Sequence, residues 1–347
     1  MGEAGQSVDE QIETPYDPSI HQRRNVHSWG RLLAYTLLIL VGESSSTLLG
    51  GLYFNGGGNN IFLVALLEFV GFPILIPFYI YFSSRSTYSI YEESSNKTTM
   101  TIILYMLLGL LEASCSIMYA IGLQQLPVST YSLIGTTQLG FNALFAFFLN
   151  SEKLTPPTLN AVVLLTISSA LLIFQPSHYK NDWVEKGRAE NFKVGSFCTL
   201  VGSALYALTL SLIELVSDKI IKQETFPSIL HMNIFESLIS TCAIAVPLSS
   251  SGGWPAVMRE MENFQHGRVA YMAVVTTSAV ASQLQAIGSV GLIIEVSSLF
   301  SNVIATVGLP IVPILGAIFF HESLDGIKVI SIILAVWGFT SYVYQYR

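Results

Sequence analysis

The chain has 347 residues, of which 51% are hydrophobic and only 11% are charged, and its formal net charge is −7. With a mean hydropathy of +0.56 it is too apolar for an ordinary soluble protein. The composition therefore excludes a soluble globular domain and predicts an integral membrane protein.

Ten apolar segments follow one another along the chain, each close to the roughly 20 residues that cross a bilayer. They cover residues 32–54, 61–83, 100–122, 128–149, 158–175, 194–216, 228–248, 268–290, 295–320 and 326–345. Their connections are short, which leaves no room for a separate soluble domain. Residues 1–29 are polar and acidic and lack the apolar core of a signal peptide, so we expect a disordered tail there.

The distribution of basic residues predicts the orientation in the membrane. An even number of spans places both termini on one side, and the side richer in Lys and Arg is normally cytosolic. Through the fifth span these residues all lie on one side: Arg23, Arg24, Arg31, Arg85, Lys97 and Lys153. The connection after the fifth span carries four basic residues on the other side, mixed with acids. Because early spans usually dominate orientation, we expect both termini in the cytosol.

Two parts of the sequence repeat one another. VSTYSLIGTTQLGFNALFAFFLNSEKL, from Val128, matches VSSLFSNVIATVGLPIVPILGAIFFHESL, from Val296, and the match extends to Gln175 and Gln345 with one two-residue insertion. Each half, 30–175 and 194–347, holds five predicted spans, so the second half is inverted relative to the first, and 176–193 form an extracellular connection. Inverted repeats are a transporter architecture with a substrate site near the membrane midplane. A chance match of apolar segments is the alternative, which the coincidence of polar positions disfavours.

The fourth and ninth spans carry polar stripes at helical spacing. One face of the fourth holds Tyr131, Gln138 and Asn142, and one face of the ninth holds Glu295, Ser298, Asn302 and Thr306. These groups would be unsatisfied in lipid, so they should face protein or a watery cavity. Hydrogen bonds that only hold the bundle together are the alternative, and we prefer it for single serines and threonines. Pro310 and Pro313 predict a broken helix in the ninth span.

Carboxyl groups in the spans suggest proton coupling. Six glutamates lie in or beside predicted spans: Glu43, Glu68, Glu112, Glu214, Glu236 and Glu295. No Lys or Arg lies deep in a span to pair with them, and an unpaired ionised acid at the bilayer centre costs at least ~2.5–3.5 kcal/mol. Most should therefore be protonated or lie near water. Glu43 is the first candidate for the coupling proton because polar and small residues share its helix face: Thr36, Ser46, Thr47 and Gly50. Glu295 and Glu112 are the other candidates.

Aromatic and amide side chains suit a planar ligand. Tyr131 and Tyr206 lie deep in the spans, where a flat heterocycle could stack on them at about 1–3 kcal/mol per ring. Gln138, Asn142 and Asn302 could then read its hydrogen-bonding edge, and Ser298 and Thr47 complete the predicted substrate-binding set. The sequence has no phosphate-binding loop, no HExxH and no Cys/His cluster. We therefore expect neither an enzyme nor a metal site, and Cys115, Cys198 and Cys242 match no disulfide framework.

Seven stretches, in order along nearly all of the membrane part, carry a family resemblance. They are GLYFNGGG (51–58), GFPIL (71–75), LPVSTYSLIGTTQLGFNALFAFFLN (126–150), ETFPSILHM (224–232), EVSSLFSNVIATVGLPIVPIL (295–315), FFHESLDGIKVI (319–330) and WGFTSYVYQ (337–345). They resemble the plant purine permease family, a branch of the drug/metabolite transporter superfamily. The resemblance implies ten spans, no cofactor, and proton-coupled uptake of purine bases and related heterocycles such as adenine and adenine-type cytokinins, mostly at the plasma membrane. The sequence departs from the family pattern at Gly51, Glu68 and Cys115-Ser116, so if these residues touch ligand this member need not prefer adenine.

Together these features predict an all-α membrane protein of ten transmembrane helices, arranged as two inverted five-helix repeats. Its central cavity, lined by the first, third, fourth, sixth, eighth and ninth spans, would bind a purine-like molecule and move it by alternating access with a proton as coupling ion. We expect a monomer in the bilayer with no nucleic-acid partner. One alternative is an exporter or exchanger of another small heterocycle, alkaloid or amine. The other is a membrane protein that binds a cytokinin without transporting it.

Overall fold

The computed structural model describes residues 18–85, 95–149, 155–173, 183–216, 226–250, 252–296, 298–322 and 324–344, and these residues form helices and no strand. The first half contains α1 (Pro18–Asn55), α2 (Ile61–Leu67), a 3-10 helix (Phe72–Ile74), α3 (Leu75–Arg85), α4 (Ser95–Gln125), α5 (Val128–Gly135), α6 (Thr137–Leu149) and α7 (Pro156–Ile173). The second half contains α8 (Trp183–Val216), α9 (Phe226–Ser250), α10 (Gly253–Asn263), α11 (Gly267–Glu295), α12 (Ser298–Phe319) and α13 (Gly326–Tyr344).

Eight segments of the described chain are long and apolar enough to cross a membrane. They are Trp29–Asn55, Ile61–Ser83, Met100–Gln125, Val128–Leu149, Pro156–Ile173, Glu190–Val216, Leu230–Ser250 and Phe300–Phe319. The predicted spans 268–290 and 326–345 are helical as well, but serines and glutamines lower the hydropathy of α11, and the apolar part of α13, Gly326–Ser341, is shorter. An all-helical, multi-pass membrane protein is thus confirmed, while the count of ten spans and the repeat layout stay predictions.

Two predicted boundaries differ from the helix ends. Helix α1 begins at Pro18, within the segment expected to be a disordered tail, and α8 begins at Trp183, within the expected connection between the repeats. Residues 1–17 of that tail and 176–182 of that connection lie outside the described residues. Gln175 and Gln345, which end the predicted repeat match, also lie outside them.

The fourth span is interrupted at Thr136, where α5 ends and α6 begins. Thr136 and Thr137 donate their hydroxyl hydrogens to the carbonyl oxygens of Leu133 and Ile134, each at 2.7 Å. Hydroxyls that bond to the preceding turn compete with regular helical bonds and bend the helix. Two such bonds from adjacent threonines therefore coincide with the break at mid-span.

The break that the sequence predicted beside Pro310 and Pro313 is absent, and this prediction was wrong. Helix α12 continues from Ser298 to Phe319 through both prolines. Prolines are tolerated within membrane helices because neighbouring helices and small local adjustments satisfy the freed backbone groups. The helix α12 packs against α1, α5 and α11, which supply such support.

Glycines bring α1 and α11 close together along an extensive contact. A Cβ atom on Gly42 would lie 2.7 Å from backbone atoms of Ala281 and Gln285, and one on Gly288 would lie 2.8 Å from the carbonyl oxygen of Tyr35. Small residues allow this approach between membrane helices, where van der Waals packing replaces the hydrophobic effect as the driving force. The crossing places the middle of α1 beside the polar residues of α11.

The connection between α1 and α2 is tied to α10 by hydrogen bonds. The Tyr53 hydroxyl donates to Glu260 Oε2 at 2.5 Å, and the backbone N–H of Asn59 donates to Glu260 Oε1 at 3.3 Å. The backbone N–H of Asn60 donates to the Tyr53 hydroxyl at 3.2 Å, while Asn60 Oδ1 caps α2 by accepting from Leu63 N at 3.1 Å. These bonds fix the start of α2, which forms part of the cavity wall.

Helices α7 and α13 pack against each other and against α5, on the side of the bundle away from the cavity. Ser168 Oγ donates to the carbonyl oxygen of Ser331 at 2.9 Å, and Ser331 Oγ donates to the carbonyl oxygen of Ser168 at 3.1 Å. Both serines are fully buried. The outer face of α7 presents apolar side chains to lipid at every fourth position: Leu159, Val163, Ile167 and Leu171.

Replacement of Gly42 by alanine should destabilise the protein, because the added methyl group meets the backbone of α11, which cannot rotate away. We expect a loss of about 1–3 kcal/mol, as for other overpacked sites, seen as a lower thermal unfolding midpoint of the purified protein in detergent. Gly30→Ala is the matched control, since a Cβ atom there meets nothing within 4 Å. Equal midpoints for the two variants would show that the α1–α11 crossing does not depend on Gly42.

Candidate functional site

A cavity of about 230 Å³ lies inside the helix bundle. Side chains from α1, α2, α4, α5, α6, α8, α9, α11 and α12 line it, and they include four carboxyl groups: Glu43, Glu68, Glu112 and Glu236. None of the described lining residues is Lys, Arg or His. Within the described ranges no cluster of His, Cys, Asp or Glu could hold a metal ion. The cavity is thus polar and rich in hydrogen-bond acceptors.

The structure brings many of the predicted site residues to this cavity. Its lining includes Tyr131, Gln138, Tyr206 and Thr47 from the predicted substrate-binding set, and Glu43 and Glu112 from the proton-coupling set. Gln138 lies near the middle of the span Val128–Leu149, and Glu43 near the middle of Trp29–Asn55. The cavity is therefore at the depth where a carrier with inverted repeats binds its substrate.

The remaining predicted residues lie elsewhere. Asn142 and Asn302 are buried but do not line the cavity. Glu295 lies at the end of α11, where its carboxylate forms an ion pair with Arg31 at 3.0 Å. The side chain of Ser298 lies outside the described part of the chain.

Hydrogen bonds from two neighbouring helices fix the amide of Gln138. The Tyr119 hydroxyl donates to Gln138 Oε1 at 3.2 Å, and Gln138 Nε2 donates to Thr306 Oγ1 at 3.2 Å. Thr306 donates in turn to the carbonyl oxygen of Asn302 at 2.9 Å. The Tyr119 ring meets the Tyr131 ring edge to face, with 6.0 Å between centroids. The amide and both tyrosines are therefore held in one network across α4, α5, α6 and α12.

Asn142 and Asn302 differ in how their amides are satisfied. Asn142 Oδ1 accepts from Ser211 Oγ at 3.3 Å, which joins α6 to α8 one turn beyond Gln138. Both amide atoms of Asn302 are buried and have no hydrogen-bond partner among the described residues. Helical spacing places Asn142 on the stripe of Gln138, but α8 covers that turn of the stripe. This is why a shared stripe does not make both residues part of the cavity wall.

Helix α11 supplies polar residues that the sequence prediction did not name. Gln285 Nε2 donates a hydrogen bond to Glu43 Oε2, and Ser282 Oγ lies 3.2 Å from Ser46 Oγ one turn further along. The eighth span was expected to line the cavity, but none of its residues was assigned. The sequence pattern that identifies the cavity-lining face of α11 is a polar stripe at spacings of four, three and four residues: Ser278, Ser282, Gln285 and Ser289.

The second and seventh spans also line the cavity, although neither was expected to. The segment after α2 contributes Glu68, and α9 contributes Glu236, which is buried. Both were recognised as membrane-embedded acids, which was the signal that could have placed them. Glu68, Cys115 and Ser116, where the sequence departs from the family pattern, line this cavity, whereas Gly51 lines a second cavity of about 220 Å³ that shares Leu123 with it.

A family model for purine nucleobase transmembrane transport matches residues 31–347. The chain belongs to this family. One relative, probable purine permease 10 of Arabidopsis thaliana, is 45% identical to this chain over 319 residues, which cover 91% of this chain and 80% of the relative. Probable purine permease 6 is 44% identical over 94% of this chain and 86% of its own, and purine permease 21 is 44% identical over 91% and 80%. These relatives are named as transporters, not enzymes.

A protein of known crystal structure, 17% identical in sequence to this chain, has the same fold. It covers 92% of this chain and 97% of its own, with a TM-score of 0.52. At this level of identity the likeness concerns the fold alone.

Replacement of Thr306 by valine keeps the shape of the side chain but removes the acceptor for Gln138 Nε2. Because the buried N–H donor of Gln138 is then without a hydrogen-bond acceptor, we expect a loss of about 1–3 kcal/mol in the free energy of unfolding. It should be measured as a lower thermal unfolding midpoint in detergent. Thr276→Val is the control, since the exposed Thr276 hydroxyl bonds to carbonyls of its own helix. Combining Thr306→Val with Tyr119→Phe should cost less than the sum of the two single changes, because both act on one amide; additivity would contradict the network.

Proposed function

We propose that this protein takes up purine nucleobases and related small heterocycles across the plasma membrane by alternating access, coupled to proton entry. One observation carries the proposal: the family of purine nucleobase transporters is joined here to a polar, mid-span cavity that contains Gln138, Tyr131, Tyr206 and Glu43. The related purine permeases supply the substrate class by their names.

The cavity suits an uncharged or donor-bearing ring better than a phosphorylated ligand. Its volume of about 230 Å³ fits a small bicyclic heterocycle, and Tyr131 and Tyr206 offer aromatic rings for stacking. A phosphate group would require Lys or Arg, and the described lining has neither. Asn142 and Asn302 are not part of the proposed contact with substrate: Asn142 bonds to Ser211, and Asn302 contributes only its backbone carbonyl oxygen, which accepts from Thr306.

Glu43 is the proposed carrier of the coupling proton. Its carboxyl group lines the cavity and its described partner is an amide, Gln285, and not a cation. Glu295 is a weaker candidate because Arg31 pairs with it near the end of the bundle, and Glu112 is the second candidate within the cavity. One proton entering across about 100 mV is worth ~2.3 kcal/mol, which supports roughly fiftyfold accumulation, and each unit of pH difference adds another tenfold.

Two contacts support the proposed inverted repeats, 30–175 and 194–347. Val128 and Val296 begin the matched segments, and the same offset relates Gln138 to Thr306, which are joined by a hydrogen bond. Residues at equivalent positions meet in this way where they lie on a two-fold axis. Further along the chain, the offset between Gln175 and Gln345 relates Ser168 to Gly338 and Ala161 to Ser331. The contact between Ser168 and Ser331 should therefore have a counterpart between Gly338 and Ala161. A Cβ atom on Gly338 would lie 3.3 Å from the Ala161 carbonyl oxygen, so these two residues are also in contact.

Cells that express the protein should take up labelled adenine faster as the external pH falls, and an ionophore that collapses the proton gradient should abolish accumulation. Glu43→Gln should lose this pH dependence yet retain exchange of labelled for unlabelled adenine in proteoliposomes, because the amide cannot release a proton but the cavity remains. Glu262→Gln, in an exposed ion pair with Arg268, is the control and should behave as the wild type.

Three results would contradict parts of this proposal. Wild-type accumulation that survives the ionophore would end the coupling claim. If the Glu43→Gln variant keeps the wild-type pH dependence, the coupling proton must be carried by Glu112 or Glu295 and not by Glu43. Ligand binding without exchange across the bilayer would identify a receptor and not a carrier.

Both termini should lie in the cytosol if the basic residues of the first half set the orientation. Epitope tags on the two ends should then react with antibody only after the plasma membrane is permeabilised. A tag inserted at Gly57, in the connection between α1 and α2, should react on intact cells. Labelling of a terminal tag on intact cells would reverse the proposed orientation.

A further inference from the structure

Three acceptor atoms of the cavity wall have no hydrogen-bond partner among the described residues. They are Oε1 of Gln283, Oε1 of Glu236 and Oδ1 of Asn233. Gln283 is 2% exposed and Glu236 is 1% exposed, so their side chains have little access to bulk water. A buried acceptor without a hydrogen bond costs free energy. The part of the cavity wall on α9 and α11 therefore favours a ligand that carries hydrogen-bond donors.

The direction of the Gln283 amide is fixed by its other end. Gln283 Nε2 donates to the backbone carbonyl oxygen of Glu68 at 3.2 Å. A carbonyl oxygen can only accept, so the nitrogen must face it and Oε1 must point away from it. The side chain also packs directly on Gly71, where a Cβ atom would lie 2.5 Å from Gln283 Cγ. A flipped amide would place Oε1 against that carbonyl oxygen and lose the hydrogen bond, and a displaced side chain would lose both contacts.

Gln283 is better placed to read a ligand than Gln138, the residue that the sequence pattern favoured. Gln138 already uses Oε1 to accept from Tyr119 and Nε2 to donate to Thr306. Gln283 uses only its nitrogen and keeps an oriented acceptor free. Glu236 and Asn233 on α9 add two further oxygens without hydrogen-bond partners to the lining of the same cavity.

We propose that Gln283 is a specificity-determining residue of this transporter, whose Oε1 accepts a hydrogen bond from an N–H group of the heterocycle. The preferred substrates then carry an exocyclic amino group or a ring N–H group on the edge that faces α9 and α11. This inference rests on the proposed function, because it assumes that the cavity binds a purine-like ring. It adds the edge of the ring that is read and the residue that reads it.

The test measures selectivity and not the amount of uptake. Adenine, 6-dimethylaminopurine, which has no exocyclic N–H, and 9-methyladenine, which has no ring N–H, compete with labelled adenine in cells expressing each variant. The wild type should bind at least one analogue about tenfold to a hundredfold more weakly than adenine, as expected for one unmet buried acceptor. Gln283→Met removes the acceptor at similar size and should reduce this ratio to about threefold or less. Gln283→Glu retains an acceptor but loses the N–H donor that fixes its direction, so it should reduce the ratio less than Gln283→Met does.

Each ratio is internal to one variant, so poorer folding or expression cancels from it. Gln265→Met, an exposed glutamine outside the cavity, is the matched control and should keep the wild-type ratio. If Gln283→Met takes up too little adenine for competition, the same ratios are measured as ligand dissociation constants of the purified protein in detergent.

Two results would overturn the inference about Gln283. One is a wild type that does not discriminate against either analogue, and the other is a Gln283→Met variant that discriminates as the wild type does. In both cases wild-type uptake of adenine would leave the proposed function standing. Absence of saturable purine uptake by the wild type would instead remove the proposed function itself.

Discussion

The hydrocarbon core offers no water to polar groups, so every polar side chain of the spans must find a partner inside the protein. In this bundle several of these partners lie around one cavity. Gln138 is satisfied by Tyr119 and Thr306, and Glu43 by Gln285. Among the described residues that line the cavity, the buried atoms without a hydrogen-bond partner are oxygens on α9 and α11, which is why a donor-bearing ligand suits the site. The same constraint thus holds the helices together and selects what binds between them.

The bond from Gln138 to Thr306 connects the fold to the proposed mechanism. It joins matched positions of the two proposed repeats at mid-span, beside the break at Thr136. In a carrier that rocks one half against the other around a central site, contacts on the axis between the halves change least. The tight glycine crossing of α1 and α11 has a complementary role, because Gly42 and Gly288 keep Glu43 against α11.

Much of the fold could be predicted because its signals are local. Long apolar segments gave an all-helical membrane protein, and helical spacing placed Tyr131 and Gln138 on one face, which the structure brings to the cavity. The break was misplaced because the rule for prolines is also local, whereas neighbouring helices decide whether Pro310 interrupts α12. Gln283 was missed because it lies off the stripe of Ser278, Ser282, Gln285 and Ser289, and its hydrogen bond to the Glu68 carbonyl oxygen comes from another part of the chain.

The sequence by itself determined that this chain crosses the membrane and which polar residues share a helix face. These properties follow from composition and the 3.6-residue period, which depend on neighbours along the chain. Only the tertiary structure decided which faces meet. It covered Asn142 with α8, paired Glu295 with Arg31 and turned the free oxygen of Gln283 away from Glu68. The physical reason is that hydrogen-bond partners come from other helices, and their approach depends on packing that no single segment encodes.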